Sequence, residues 1–347
     1  MKVLFNTEGN KNIGMGALYD CAVLAGKMRE KFNPQIKFLL SLDSEKNIEN
    51  AIFPKYTVER VNVNSAGLLL ESIARFNPNI IVHNLLNLKK DYTDGLNKFK
   101  ATVVSISHKS NFKNHSKADI VINLLYSSER VKCLHGPRYA ILDNRFAGLV
   151  KRTIGHPAGN LLISFGGADV NNLTLKLIKV LDNLGLNFRV GIVAGAGFGK
   201  EKELQKCLNS LKNKNKFTIY KRVKNMPELM LSSDLAFVSG GRTICELAAT
   251  GTPGIAFAQN KLEFGRLKEF KKWGTVLNYG YFPKNTNKLA VDIKKVILDR
   301  SLCEKMSRNG KKLIDGSGVN RIIGAIMEHH KQAQTVRGKN EKNKSRQ

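Results

Sequence analysis

The chain has 347 residues, of which 42% are hydrophobic, and these values exclude an intrinsically disordered protein. This length exceeds the usual size of a single core, so we expect two domains. Five scattered cysteines without a C-x-x-C pair argue against a disulfide framework or a structural zinc site and indicate a reducing cytoplasm. The sequence shows no secretory start and no apolar run of membrane-spanning length, so we expect neither secretion nor a transmembrane helix.

The formal net charge of +29 allows three interpretations. Lys and Arg are spread along the whole chain rather than gathered in one arm with interleaved aromatic residues, which argues against nucleic-acid binding. A residue usage rich in Lys and Asn, which makes every solvated face basic, explains the same value. Attraction to phosphorylated small molecules or to an anionic membrane surface is the third interpretation, and it would place the protein at the inner face of the membrane.

Short apolar runs alternate with helical patterns along the chain, which predicts an α/β fold with parallel sheets. The predicted strands of the first half are 2–8, 36–42, 79–86, 101–107 and 119–125. Those of the second half are 160–166, 188–195, 216–221, 235–239, 253–258 and 275–278. Together they indicate two doubly wound, Rossmann-like domains in tandem.

The domain boundary is expected in 143–159, where the periodicity is lost and Gly, Pro and charged residues gather. We therefore predict an amino-terminal domain over 1–145 and a carboxyl-terminal domain over 146–330, facing each other across a cleft. The polar, basic and aperiodic stretch 331–347 is predicted to be a disordered tail. Ligands of open α/β sheets bind at the carboxyl ends of the strands, so we expect the functional residues in the loops that follow them.

The stretch DLAFVSGGRTICELAATGTPGIAF carries the clearest binding pattern. A predicted strand ends in Ser239-Gly240-Gly241, and a helix begins near Thr243. Paired glycines allow close approach of a ligand to the backbone, and a helix amino terminus favours an anion such as a diphosphate. Glu246 follows on the same face of the helix, where a carboxylate can accept both hydroxyls of a ribose. A capping arrangement that only starts a core helix is the alternative.

A second predicted strand ends in a similar way, in LLISFGGADVNNLT. Gly166 and Gly167 turn the chain out of the strand, and Asp169, Asn171 and Asn172 supply caps for the next helix. A further glycine-rich loop, VAGAGFGK, lacks the Gly-Lys-Ser/Thr of a Walker A motif and is a weak signal by itself.

The opening turn, IGMGALYDC, follows the first predicted strand. Gly14 and Gly16 are typical of a phosphate- or sugar-binding turn, whereas Ala17 offers no catalytic side chain. Tyr19 stands where a dinucleotide-binding motif has its third glycine, and the loop before Gly14 is too long, so a nicotinamide or flavin enzyme is disfavoured.

Two resemblances follow from these motifs. The second half resembles the carboxyl-terminal domain of GT-B glycosyltransferases of the MurG type. Almost the whole chain resembles the PseG/SpsG family, through the pieces IGMG, GPRYAIL, SFGGADVNNLT, SGGRTICELAATGTP and LIDGSG. The best-known member of that family hydrolyses a UDP-linked diacetamido-trideoxy sugar on the pathway to pseudaminic acid.

The resemblance implies a GT-B fold and a bound UDP-sugar. The residues implied at the nucleotide are Gly240, Gly241, Thr243 and Glu246, with Ser239, Gly166, Gly167 and Asp169 nearby. The UDP-sugar is the substrate, so no cofactor is implied, and no metal-ligand cluster is visible in the sequence.

The chain departs from the family in its first turn, which usually reads G-x-G-H-x-x-R, with the His as the base that activates water. Ala17 and Asp20 stand at the His and Arg positions. Ala cannot accept a proton, and the loss of a general base costs about two to four powers of ten in rate. Candidate substitutes near the same strand ends are Glu8, Asp20, His83 and His108.

Four functional hypotheses remain. The first is transfer of a UDP-activated amino sugar to a glycan or lipid-linked acceptor at the membrane surface, in surface polysaccharide or nonulosonate biosynthesis. The second is UDP-sugar hydrolysis with a substitute base, and the third is a catalytically silent UDP-sugar-binding module. Nucleic-acid binding is the fourth, and the even spread of charge disfavours it.

Overall fold

The computed structural model describes residues 1–10, 12–44, 49–50, 52–108, 113–115, 117–126, 132–150, 153–221 and 223–344. The chain divides into two compact units. The first unit comprises Met1–Gly9, Ala17–Ile141 and Ser317–Gln347, and the second comprises Asn10–Gly16 and Leu142–Gly316.

The first unit is built on a seven-stranded parallel sheet. Its strands are β1 Lys2–Thr7, β2 Gln35–Ser41, β3 Thr57–Val61, β4 Ile80–Asn84, β5 Thr102–Ser107, β6 Ile120–Asn123 and β7 Cys133–His135. They lie in the order β3-β2-β1-β4-β5-β6-β7. The central strands are apolar and buried, as strands with both faces covered must be.

Within the described ranges, four α-helices of the first unit have both ends defined. They are α1 Gly16–Phe32, α2 Ala66–Phe76, α3 Lys90–Gly95 and, at the end of the chain, α11 Gly318–Lys344. The Ser65 hydroxyl caps α2 by accepting the Leu68 N–H, and Asn77 ends that helix in the left-handed region with φ 51°. Tyr92 of α3 is buried against the sheet beside Leu4 and Ile81.

The second unit is built on a six-stranded parallel sheet. Its strands are β8 Asn160–Ser164, β9 Arg189–Ala194, β10 Phe217–Lys221, β11 Leu235–Ser239, β12 Gly254–Phe257 and β13 Val276–Gly280. Its helices are α4 Leu173–Asp182, α5 Glu201–Asn209, α6 Met226–Leu231, α7 Thr243–Thr250, α8 Lys261–Lys272, α9 Asn287–Leu298 and α10 Arg300–Leu313. The strand order β10-β9-β8-β11-β12-β13 is that of a Rossmann fold, and it reverses direction between β8 and β11.

The structure confirms the predicted α/β class with two doubly wound parallel sheets. It adds the strands β3 and β7, which the sequence pattern missed. The sequence of β3, TVERV, is polar at its centre, and β7 has three residues; both strands lie at sheet edges. Edge strands are buried less than central ones and therefore give a weaker apolar signal.

The end of the chain differs from the predicted domain division. Residues 317–347 belong to the first unit, whereas 319–330 were assigned to the second domain. The structure also continues α11 to Lys344, across the stretch from 331 that was predicted to be a disordered tail.

Contacts with the first unit explain where α11 lies. Ile322, Ile323 and Ile326 are buried on its inner face. His330 Nδ1 lies 3.0 Å from Thr102 Oγ1 at the start of β5, and Arg337 donates to the Lys100 carbonyl. This anchoring stabilises a helix whose later residues are mostly polar.

The search for a membrane-spanning helix was negative. Among the helices of the described residues, none combines the length and the apolar character that crossing a membrane requires.

The entry into the second sheet is held by one carboxylate. Asp234, which precedes β11 and is 7% exposed, accepts the backbone N–H groups of Gly155 at 2.8 Å, Gly159 at 3.0 Å and Asn160 at 2.9 Å. One side chain therefore ties the start of β8 to the start of β11.

Replacing this carboxylate should destabilise the protein. We expect Asp234→Ala to lower the free energy of unfolding by about 3 kcal/mol or more, because three backbone donors lose a charged acceptor. Urea denaturation measures this value. The matched control is Asp182→Ala, since the more exposed Asp182 also accepts two backbone N–H groups, from Lys212 and Asn213. Water can replace it there, so a loss of at most about 1 kcal/mol is expected; equal losses in both variants would contradict this account.

Candidate functional site

The reversal of strand order in the second unit brings two predicted loops together. Strands β8 and β11 are neighbours, with Val238 paired to Ser164, so their carboxyl ends lie side by side. Gly166 turns the chain out of β8 with φ 78°, a conformation that side-chain-bearing residues rarely adopt. A Cβ atom at Gly166 would lie 3.8 Å from the Ser239 hydroxyl, so the two glycine-containing loops are adjacent. Ligands of doubly wound sheets bind at such a reversal.

The glycine-rich segment 193–200 supports the loop after β8. Gly197 N–H donates to the Gly167 carbonyl at 2.8 Å. A Cβ atom on Gly195 would come within 2.7 Å of Gly167 Cα, and one on Gly167 would come within 2.8 Å of the Met15 side chain. This weak sequence signal is therefore a packing contact that fixes the loop after β8 by close approach of two backbones.

Asp169 is committed to a helix cap. Its carboxylate accepts the N–H groups of Leu173 at 2.8 Å and Thr174 at 2.9 Å at the start of α4, and the residue is 5% exposed. Burial raises the pKa of Asp169, and the two backbone donors oppose that rise. The predicted capping role is therefore confirmed for Asp169. The Asn172 side chain makes no capping hydrogen bond, and the Asn171 side-chain amide donates to the Gln259 carbonyl instead. The position of Asp169 near a nucleotide stays a prediction.

The turn after β11 is closely packed. A Cβ atom on Gly240 would lie 2.8 Å from the Glu263 carbonyl oxygen, and Arg266 donates to the Gly240 carbonyl at 3.0 Å. Ser239 and Thr243, on either side of the glycine pair, are buried. The backbone of this turn is thus fixed before α7 begins.

Glu246 lies one turn into α7 and is paired with an arginine. Arg242 Nε donates to Glu246 Oε1 at 3.2 Å, and the two side chains are 15% and 14% exposed. Burial raises the pKa of Glu246, Arg242 opposes the rise, and the nearby Asp143 adds to it. The sequence prediction used Glu246 alone, although the spacing R-x-x-x-E is a recognisable helical ion pair.

Gln259 is a site residue that the sequence interpretation missed. Its side-chain amide donates to the Phe165 carbonyl at 3.0 Å and accepts the Asn171 N–H at 3.3 Å. The Glu263 carboxylate accepts the Gln259 backbone N–H at 2.8 Å. These bonds join the loop after β12 to the loop after β8. A single Gln after a strand has no distinctive pattern, so the sequence offered no signal for it.

The predicted sugar-site turn spans the two units. Gly14 has φ 86° and donates its N–H to the Asn10 carbonyl at 2.9 Å. Asn10–Gly16 belongs to the second unit, and α1, which begins at Gly16, continues in the first. The Ala17 carbonyl accepts the Asn84 side-chain amide at 3.4 Å.

Glu8 makes a hydrogen bond that holds a neighbouring loop, and Asp20 lies on α1. The Glu8 carboxylate accepts the Leu86 backbone N–H and so holds the loop after β4 beside the end of β1. Asp20 is half-buried on the first turns of α1 and lies close enough to the buried Cys21 thiol to raise its pKa further, after burial itself. Both remain predictions as catalytic groups.

His83 is placed unfavourably for a catalytic base. It is 1% exposed, and neither ring nitrogen has a hydrogen-bond partner among the described residues. It lies in register with Asn6 of β1 and Ser105 of β5, next to the ring of Tyr92. Burial, with a smaller contribution from His115, lowers the pKa of His83 to about 3, so the ring is neutral and closed to solvent.

His108 is half-buried and oriented by Asn84. Its Nε2 lies 2.9 Å from Asn84 Oδ1. The Ala17 carbonyl accepts from the Asn84 amide nitrogen, so the amide oxygen faces His108 and the histidine Nε2 must carry the hydrogen. In the neutral ring Nδ1 is then the basic nitrogen. Asn84 therefore connects His108 to the position where the family usually has its histidine.

A small cavity adjoins His108. Its volume of about 10 Å³ is the space of one water molecule. It is lined by Leu85, Leu86, Ser107, His108 and His115. The lining thus offers polar partners that a water molecule requires.

Comparison with known proteins finds a family match in the second half of the chain and similar proteins that cover most of its length. Residues 162–321 match the glycosyltransferase family 28 C-terminal domain. The chain is 20% identical over 346 residues to the spore coat polysaccharide biosynthesis protein SpsG of Bacillus subtilis, covering 96% of this chain and 99% of that protein. It is 28% identical over 278 residues to the uncharacterized protein MJ1062 of Methanocaldococcus jannaschii, covering 76% of this chain but only 57% of that longer protein.

Solved structures share the fold. MurG of Acinetobacter baumannii superposes with a TM-score of 0.71 at 11% identity, covering 94% of this chain and all of that one. HepE of Anabaena in complex with UDP superposes with a TM-score of 0.61 at 16% identity, covering 95% of this chain and 100% of that one. These findings confirm the predicted GT-B fold and the resemblance to the SpsG/PseG family.

The buried His83 should make the protein sensitive to acid. The unfolded chain takes up a proton at this ring below its ordinary pKa of 6.5, whereas the folded protein does so only near 3, so stability falls as the pH drops through this interval. At pH 5 the loss is about 2 kcal/mol relative to pH 7.5. We expect His83→Leu to lack this loss and to equal or exceed wild-type stability at pH 7.5, because unpaired ring nitrogens are no longer buried.

Urea denaturation at pH 7.5 and pH 5 measures this difference. The control is His156→Leu at an exposed position, which should keep the wild-type dependence on pH. The same loss of stability at pH 5 in His83→Leu as in the wild type would show that another group causes it.

Proposed function

We propose that this chain, a member of the SpsG/PseG-like family with the GT-B fold, binds a UDP-activated amino sugar and transfers the sugar to an acceptor during surface polysaccharide synthesis. The observation that carries the proposal is the meeting of two glycine-containing loops after β8 and β11, with Glu246 one turn into the following helix. This arrangement combines a close backbone approach, a helix amino terminus and a carboxylate, which together match a nucleoside diphosphate.

The parts of the nucleotide have separate partners in this proposal. The diphosphate lies against the Gly240-Gly241 turn and the start of α7, and the Glu246 carboxylate accepts the ribose hydroxyls. The UDP complex of the structural neighbour HepE and the polysaccharide role in the name of the Bacillus subtilis relative support this assignment.

Transfer is favoured over hydrolysis by the exchange at position 17. An acceptor oxygen forms the new bond to the anomeric carbon, the bond from that carbon to the diphosphate oxygen breaks, and UDP leaves with the electron pair. The acceptor proton passes to a base. Ala17 cannot accept a proton, so the first turn no longer carries the group that activates water in the hydrolase. The acceptor in this proposal is a glycan or a lipid-linked sugar.

The nucleotide assignment is tested by calorimetric titration of UDP into wild-type protein and Glu246→Gln. We expect saturable binding of UDP to the wild type. The variant should bind UDP at least about tenfold more weakly, because the ribose loses a charged acceptor. The fold should survive, since burial already disfavours the charge at this position. Glu228→Gln, which changes a carboxylate at α6 in the same unit, is the control and should bind UDP as the wild type does.

Two outcomes would contradict the nucleotide assignment. The first is an absence of UDP binding to a folded wild-type protein. The second is unchanged UDP affinity in Glu246→Gln.

Hydrolysis of a UDP-sugar is the second candidate function, and the cavity of one water beside His108 favours it. In this candidate, His108 would be the substitute base that takes the proton as water attacks the anomeric carbon, while the bond to the diphosphate oxygen breaks and UDP leaves with the electron pair. The expected result is UDP release from a panel of UDP-activated amino sugars without acceptor, slowed about 10² to 10⁴-fold in His108→Gln. His156→Gln is the matched control. UDP release that requires an acceptor and is unaffected by His108→Gln would exclude this candidate.

A further inference from the structure

We propose that Arg242 changes partner when the nucleotide binds, leaving Glu246 and pairing with the diphosphate. The proposal rests on the proposed function, because it concerns the same UDP site. It assigns to Arg242 the selection of a nucleoside diphosphate over the bare nucleoside.

The charges around Glu246 are paired before any ligand binds. Arg242 Nε bonds to Glu246 Oε1 at 3.2 Å, and Arg145 Nε bonds to Asp143 Oδ1 at 2.8 Å. Arg242 also lies near enough to Asp143 to lower its pKa, after the larger effects of burial and Arg145. Two carboxylates and two guanidinium groups thus form two ion pairs among the described residues. The diphosphate adds negative charge, which a guanidinium that turns towards it offsets beyond the contribution of the helix amino terminus.

Glu246 has a competing requirement. To bind a ribose, its carboxylate must accept the sugar hydroxyls, yet Arg242 occupies one of its oxygens in the structure. The two side chains are mostly buried, so water does not readily take over either role. Release of Arg242 from Glu246 therefore frees the ribose acceptor at the moment when the phosphate acceptors arrive.

Arg242 is suited to the phosphates by its place in the chain. It directly follows the Gly240-Gly241 turn and precedes the first residue of α7. Its planar guanidinium can donate two parallel bonds to phosphate oxygens, which a lysine cannot do. The neighbouring Arg266 is committed to the Gly240 carbonyl at 3.0 Å, where it holds the turn itself.

The exchange of partners predicts different effects of an Arg242 substitution on UDP binding and on uridine binding. UDP supplies phosphates that replace Glu246 as the partner of Arg242. Uridine must compete with Arg242 for Glu246 and has no phosphate with which Arg242 could pair. Loss of the guanidinium should therefore weaken UDP binding but leave uridine binding unchanged or tighter. General damage to the site would weaken the binding of both ligands.

Calorimetric titration of UDP and uridine into wild-type protein, Arg242→Gln and Arg242→Lys tests the proposal. We expect Arg242→Gln to bind UDP at least about tenfold more weakly than the wild type does and to bind uridine equally well or more tightly. The UDP affinity of Arg242→Lys should lie between those of the wild type and Arg242→Gln. Arg300→Gln is the matched control, because Arg300 and Glu304 form the same i,i+4 pair on α10 at 2.8 Å. Both ligands should bind this control as they bind the wild type.

The outcomes separate this proposal from the proposed function. An absence of UDP binding to the wild type overturns the proposed function and this inference with it. UDP binding that is equal in wild type and Arg242→Gln overturns the inference alone. If both Arg242 variants bind UDP and uridine more weakly by the same factor, the inference is also overturned, since that result assigns Arg242 a structural role.

Discussion

The close approach of two backbones at the end of β8 is the constraint on which the site depends. Gly195 lies against Gly167 with no room for a Cβ atom, and Gly197 donates to the Gly167 carbonyl. This contact fixes the loop after β8 next to Ser239, where β11 ends. The strand order reverses between β8 and β11, and ligands of doubly wound sheets bind at such a reversal. A glycine-lined, backbone-rich surface is the result, and it suits a ligand recognised mainly by its phosphates and ribose.

The electrostatics of this surface contrast with those of the whole chain. The protein carries a net charge of +29, yet the cluster formed by Asp143, Arg145, Arg242 and Glu246 pairs each carboxylate with a guanidinium. The bulk charge alone therefore does not explain ligand choice. In the proposed exchange of partners, recognition depends instead on how the Arg242–Glu246 pair rearranges. A basic surface elsewhere on the protein remains compatible with solvated Lys-rich faces or with an anionic acceptor.

The sequence predicted the fold better than the roles of single residues. Buried parallel strands such as β1 and β11 are nearly continuous apolar runs, so their pattern is plain, and strand–Gly-Gly–helix–Glu located the loops correctly. The polar edge strand β3 and the helical continuation of α11 depend on tertiary contacts, which no local pattern encodes. The burial of His83 was hidden, because the residue type alone does not tell a catalytic group from a packed one, whereas the cap made by Asp169 was predicted from its place before a helix. Gln259 joins loops that are distant in sequence, and only the folded chain brings its partners within reach.

In the proposed function, the second unit binds UDP at the turn after β11, and the opening turn carries Ala17 where the SpsG/PseG family usually has a histidine base. The most direct test is a crystal structure of the full chain grown with UDP. The account predicts electron density for the diphosphate against the Gly240-Gly241 turn and for the ribose hydroxyls at the Glu246 carboxylate. Density for UDP at another surface, with this turn and Glu246 untouched, would contradict it.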